Sequence, residues 1–126
     1  MGLLEGKVAV VTGGGRGLGR CHALALAAAG ARVVVNDLGG GVTGDGAGDA
    51  ANAVAEEIRE AGGMAVANLA SVADWAGAAT IIEQAVQTFG GLDIVVNNAG
   101  INRPASVIDM TEADFDLEIA VHLKGT

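Results

Sequence analysis

Tyrosine is absent from this sequence, and cysteine, proline and tryptophan each occur once. The single cysteine, Cys21, excludes an intrachain disulfide and any multi-cysteine metal site, and it fits a reducing compartment. Aromatic residues make up 2% of the chain against 51% hydrophobic residues in all, so the core must be built from Ala, Val, Ile and Leu. Such side chains suit helices packed close on a sheet, and the hydrophobic content argues against disorder. Cations are few as well. Seven Lys and Arg against 15 Asp and Glu leave a formal charge of −8. The seven are scattered rather than clustered, which argues against a surface that tracks nucleic-acid phosphates. No uninterrupted apolar run approaches the ~18 residues of a membrane span. The opening MGLLEGK has an early acid and no apolar stretch of the kind a signal peptide carries. Asp45, Asp49 and Glu56 do not converge at a metal-ligand spacing, so no metal is expected.

What is present is an alternation of strands and helices, in a chain of 126 residues that allows one domain at most. KVAVVT (7–12) is a short β-branched run ending in glycines, a buried strand followed by a turn. GLGRCHALALAAAG (17–30) reads as a helix stopped by Gly30, with Cys21 on a core face beside Leu18 and Ala25. ARVVVND (31–37) is a second strand. In 49–63, Ala51, Val54, Ala55 and Ile58 fall on one helical face. MAVANL (64–69) is a third strand. Ser71 with Asp74 resembles a capping box, and Trp75, Ala78, Ala79, Ile82, Val86 and Phe89 then form one apolar stripe. LDIVVN (92–97) is a fourth strand, left as an open edge. Thr111 opens a last helix on which Phe115, Ile119 and His122 share a face.

Alternating elements with fully apolar strands predict an α/β fold, a parallel sheet covered on both faces by helices. Right-handed crossovers leave the doubly wound, Rossmann-like sheet as the commonest arrangement. The glycine-rich LGGGVTGDGAGD (38–49) reads as a long surface loop, because it lacks the Lys-Ser/Thr ending of a P-loop.

TGGGRGLG (12–19) lies between the first strand and the first helix. A pyrophosphate needs backbone N–H groups at a helix N-terminus and no Cβ in its way. Gly13 permits the sharp turn, Gly17 lets the backbone approach phosphate, and Gly19 lets the helix pack close to the strand. A bare structural turn would show the same glycines, but the completed strand–turn–helix favours nucleotide binding. Asp37 ends the second strand at about the ~20-residue separation where a carboxylate accepts both ribose hydroxyls of NAD and repels a 2′-phosphate. Arg16 pulls toward NADP, but Asp37 is better placed, so NAD is favoured.

TGxxxGxG after the first strand, with Asn97, Asn98, Ala99 and Gly100 after the fourth, resembles the short-chain dehydrogenase/reductase family over essentially the whole chain. VVVNDLGG, EIREAGGMAVAN and VHLKG are similar, more narrowly, to the (3R)-hydroxyacyl-CoA dehydrogenase unit of the peroxisomal multifunctional enzyme type 2 and its bacterial relatives. The resemblance implies cofactor contacts from Gly13, Gly15, Arg16, Gly17, Leu18 and Gly19. It places Asp37 at the adenosine ribose, Ser71 and Val72 at the adenine and Asn98 near the nicotinamide-side ribose, and it counts Gly100 among the cofactor contacts. Asn97 would tie the fourth strand to its neighbours. The relatives usually carry an Asp where this sequence has Ala70, so an adenine contact is lost.

Family members move a hydride between nicotinamide and a secondary alcohol or ketone, with a Tyr–Lys pair and a Ser around the reacting oxygen. This chain has no tyrosine, and family members run to about twice its length. The expectation is therefore residues 1–126 as the NAD(P)-binding half of a longer dehydrogenase, ending after the fourth strand and following helix, with no turnover of its own. The implied substrate is a small molecule, a 3-hydroxyacyl-CoA thioester being the first choice. No nucleic-acid or membrane partner is expected, and the longer parent would form a homo-oligomer. The setting would be cytoplasmic, or peroxisomal in a eukaryote. A non-catalytic dinucleotide-binding module or an inactive truncation product is the alternative. His122 stands where the family usually has a proton-relay Asn and these relatives share His, so relay and structural support both fit, support first. His22 reads as a surface or boundary residue, and Arg103 as an exposed loop arginine.

Overall fold

A computed structural model describes residues 2–39 and 49–126; most of the glycine-rich connection lies outside the described residues. The elements run β1 (Val8–Thr12), α1 (Gly17–Ala28), β2 (Arg32–Asn36), α2 (Ala50–Glu60), β3 (Met64–Asn68), α3 (Trp75–Phe89), β4 (Ile94–Val96) and α4 (Glu112–Ile119), with a wide π turn over Ala120–Lys124. The strands form one parallel sheet in the order β3-β2-β1-β4. The chain winds outward from β1 to β3, then crosses back to place β4 on the other side of β1. A crevice opens at the carboxyl ends of β1 and β4, where the winding reverses.

The interiors of β1 and β2 are hydrophobic because helices cover both faces of these strands. Ala9, Val11, Val33 and Val35 point one way onto Ala23 of α1 and Ala51, Val54, Ala55 and Ile58 of α2. Val8, Val10 and Val34 point the other way onto Ile81 and Ala85 of α3. The face expected for α2 is thus the buried one. Among the described residues, no helix is long and apolar enough to cross a membrane.

Two helix faces differ from expectation. Cys21 is exposed, not core. The residues α1 buries are Gly19 and Ala23, the small side chains that let the helix axis approach the sheet. Leu18, Cys21 and Ala25 consequently turn outward, Leu18 with 72% of its surface exposed. On α3 the sheet-facing residues are Ile81 and Ala85, one position round from the expected stripe. Trp75, Ala78, Ala79 and Ile82 instead line a cleft beside Val95 and Asn97. Strand β4 is an edge, so part of the apolar arc has no strand beneath it and Trp75 stays 78% exposed. The cap of α3 is Asp74, which accepts from Gly77 N at 2.9 Å, while Ser71 Oγ accepts from Ala73 N one turn earlier. Thr111 caps α4 as expected.

Candidate functional site

The loop leaving β1 turns on glycines. Gly13 and Gly17 hold φ of +62° and +54°, the left-handed region that an L side chain resists. A Cβ on Gly13 would lie 2.9 Å from Ala99 Cα, and one on Gly19 would lie 2.0 Å from the Gly13 carbonyl oxygen. The turn, the start of α1 and the segment after β4 are therefore stacked without room for side chains. Gly17 is different: a Cβ there would meet nothing within 4 Å. Helix α1 begins just there, with no side-chain cap from Arg16 and no acid in its first turn. First-turn amides have no partner within their own helix, so this open glycine mouth can receive an anion.

Thr12 and Asn98 fix the floor. Thr12 Oγ1 donates to Val96 O at 3.3 Å and accepts from Asn98 N at 3.1 Å and Ala99 N at 3.0 Å. The Asn98 amide donates to Thr12 O at 3.2 Å and Gly13 O at 3.1 Å. The tie between β4 and its neighbour, expected of Asn97, is therefore made by Asn98. Side chains alternate along an extended chain, and Asn97 lines the other cleft, with Lys124 and Gly125.

Asp37 braces the turn from the β2 side. Its Oδ2 accepts from Gly15 N at 2.9 Å and its Oδ1 from Gly39 N at 2.8 Å. A carboxylate has about four lone-pair sites, so both oxygens retain capacity for ligand hydroxyls. Arg16 donates from Nη2 to Gly39 O at 3.0 Å, which engages one face of the guanidinium with the chain itself.

A buried amide chain, absent from the sequence reading, holds the next loop. Asn36 Nδ2 donates to Asn68 Oδ1 at 3.0 Å and Ala70 O at 2.8 Å, and Asn68 Nδ2 donates to Gln84 Oε1 at 2.9 Å. Thr12, Asn36 and Asn68 sit opposite one another in register at the ends of β1, β2 and β3. The signal was available: each of three apolar strands ends on a polar residue.

These pieces surround a cleft of about 290 Å³, near the lower end of the ~300–1,000 Å³ typical of small-molecule sites. Gly13, Arg16, Gly17, Asp37, Ser71, Val72, Asn98 and Gly100 all line it. Of the other candidates, Gly15 and Gly19 lie buried behind the turn and Leu18 projects outward.

His122 stands on the π turn, not on a buried stripe. Phe115 and Ile119 are exposed, while Leu117 and Val121 face the cleft. Helix α4 is tied to the preceding loop. Arg103 pairs with Asp114 at 3.2 Å, and Arg103 N donates to Glu118 Oε1 at 2.7 Å. The Thr111 hydroxyl and then the Arg103 guanidinium hold the Asp114 carboxyl below its ordinary pKa. Arg103 is thus a structural staple. The Nε2 atom of His122 is 3.1 Å from Ile101 N and 2.8 Å from Ile101 O, so its tautomer decides whether it accepts or donates. The ring fills the space a Gly100 side chain would need, 2.7 Å from its ideal Cβ. Exposed His22 has no part in this cleft.

Residues 7–126 match the family described as short chain dehydrogenase. The chain is 55% identical over 123 residues to the peroxisomal multifunctional enzyme type 2 of Drosophila melanogaster, covering 97% of this chain and 20% of that protein. It is 50% identical over 120 residues to the peroxisomal hydratase-dehydrogenase-epimerase of Saccharomyces cerevisiae, covering 94% and 13%. A crystal structure of a short chain dehydrogenase from Mycobacterium avium superposes with a TM-score of 0.89 at 56% identity, covering 98% of this chain and 43% of that one. The chain therefore spans less than half the length of each of these proteins.

Proposed function

This chain belongs to the short-chain dehydrogenase family, and we propose that residues 1–126 form the NAD-binding half of an oxidoreductase that interconverts a secondary alcohol and a ketone. The observation that carries this reading is the convergence of two groups on one cleft: the open glycine mouth at Gly17 and the Asp37 carboxylate at the exit of β2. Backbone N–H groups at the open mouth, from Arg16 into the first turn of α1, hold the pyrophosphate, while those of Gly14 and Gly15 are engaged with Asn36 O and Asp37. Asp37 accepts the adenosine ribose hydroxyls and opposes a 2′-phosphate. Asn98 and Gly100 shape the wall on the nicotinamide side, with His122 supporting Gly100 and Ile101 from behind. Bound NAD supplies the hydride acceptor. The described residues bind and orient, and the chain has no tyrosine to deliver a proton, so no turnover is expected from it alone. A 3-hydroxyacyl thioester is the substrate class suggested by the likeness to the multifunctional enzymes.

Calorimetric titration tests the cofactor assignment. NAD should bind at least about tenfold more tightly than NADP, since one or two bonds to a charged acceptor are at stake. In Asp37→Ala that preference should shrink by roughly tenfold or more. The ratio is the informative quantity, because losing the Gly15 and Gly39 bonds weakens both ligands alike. NADP binding tighter than NAD in the parent protein would make Arg16 the dominant group and sink the NAD assignment.

A further inference from the structure

The order of the strands places the parts of a dinucleotide. Pyrophosphate at the turn after β1 and ribose at Asp37 after β2 put the base over the carboxyl end of the next strand outward, β3. There the cleft is lined by Leu38, Ala70, Ser71 and Val72. Among the described lining residues the charged ones are Arg16 and Asp37, both on the ribose and phosphate side. From this we infer that the site does not read the 6-position of the purine, and takes a 6-amino or a 6-oxo base alike. The inference rests on the dinucleotide reading above and deepens it.

The Ala70 backbone and the Asn36 amide at this end are turned to internal work. Ala70 N donates to Asn68 Oδ1 at 2.9 Å, and Ala70 O accepts from Asn36 Nδ2 at 2.8 Å. The two hydrogens of Asn36 Nδ2 are directed at Asn68 and Ala70. Ser71 O accepts from Asp74 N at 3.2 Å. Ser71 Oγ accepts from Ala73 N at 3.1 Å. That leaves the hydroxyl one rotatable hydrogen and a second lone pair, so it can donate to an oxo group or accept from an amino group. Leu38 and Val72 offer apolar walls that select a flat ring without testing its edge. A carboxylate here would behave otherwise, accepting from an amino group and repelling an oxo group.

Titration with NAD and with nicotinamide hypoxanthine dinucleotide reads the inference directly. The two dissociation constants should agree within about threefold, whereas a charged acceptor would separate them by roughly ten- to a hundredfold. A tenfold or larger preference for either would overturn the inference and leave NAD binding intact. Binding of neither would overturn the dinucleotide reading and this inference together. Ala70→Asp should raise the preference for NAD by about tenfold. An unchanged ratio in a variant that still binds NAD would place the base elsewhere and contradict the inference. If the variant does not fold, the two parent constants decide it.

Discussion

Thr12→Val is expected to lower the unfolding free energy by about 2–4 kcal/mol, although the substitution keeps the shape of the side chain. Valine fits a buried strand as well as threonine does, so the loss isolates the hydroxyl. That hydroxyl, on a residue only 6% exposed, joins three backbone groups of β4 and the segment after it to the end of β1. Asn98 N keeps a second acceptor in Val96 O at 2.9 Å. Ala99 N loses its partner, and an unsatisfied amide in a part-buried position costs about 1–3 kcal/mol. Urea unfolding gives the answer: the midpoint should fall at unchanged slope, and Thr12→Ser should recover most of it. An unfolding free energy within about 0.5 kcal/mol of the parent would mean that the hub is incidental to the fold.

Gly19→Ala should be still more damaging, by about 3 kcal/mol or more, despite the ~1 kcal/mol that alanine gains over glycine inside a helix. The added carbon would stand 2.0 Å from Gly13 O and 2.5 Å from Asn98 Nδ2. Neither neighbour can retreat easily. Gly13 is fixed in a left-handed turn and Asn98 is hydrogen-bonded to it, so relief requires lifting the turn off α1. Thermal unfolding and NAD titration should show stability and affinity falling together. Gly17→Ala is the contrast. With open space around it, it should lose only the ~1–2 kcal/mol of a left-handed alanine, yet place a methyl where phosphate is to sit. Equal stability losses in the two variants would contradict the close stacking of turn and helix.

The sequence made the order of elements legible because each element carries its own period. The Ala51/Val54/Ala55/Ile58 face and the three-valine run of β2 need no partner to be recognised, and both are buried as read. The glycine turn was legible for the same reason, being a local demand on the backbone. What failed depends on neighbours. Apolar residues on α3 and α4 could be identified, but which of them meets a strand depends on the width of the sheet and on the Arg103–Asp114 tie. Cys21 was misplaced because α1 docks through its smallest residues, a choice invisible in a hydrophobicity pattern. The Thr12, Asn98, Asn36 and Asn68 bonds were missed or misassigned because they join strand ends, and register appears only when the sheet is assembled.

In the proposed reading one cleft, between the β1 turn and the exits of β2, β3 and β4, receives the dinucleotide. Backbone amide chemical shifts followed during an NAD titration test it most directly. Among the described residues, shifts should be confined to Gly13–Gly17, Asp37–Gly39, Ser71–Val72 and Asn98–Ile101, with Ala79 and Ile82 in the cleft over β4 unmoved. No shift at millimolar NAD, or shifts centred on Trp75 and Ile82, would contradict it.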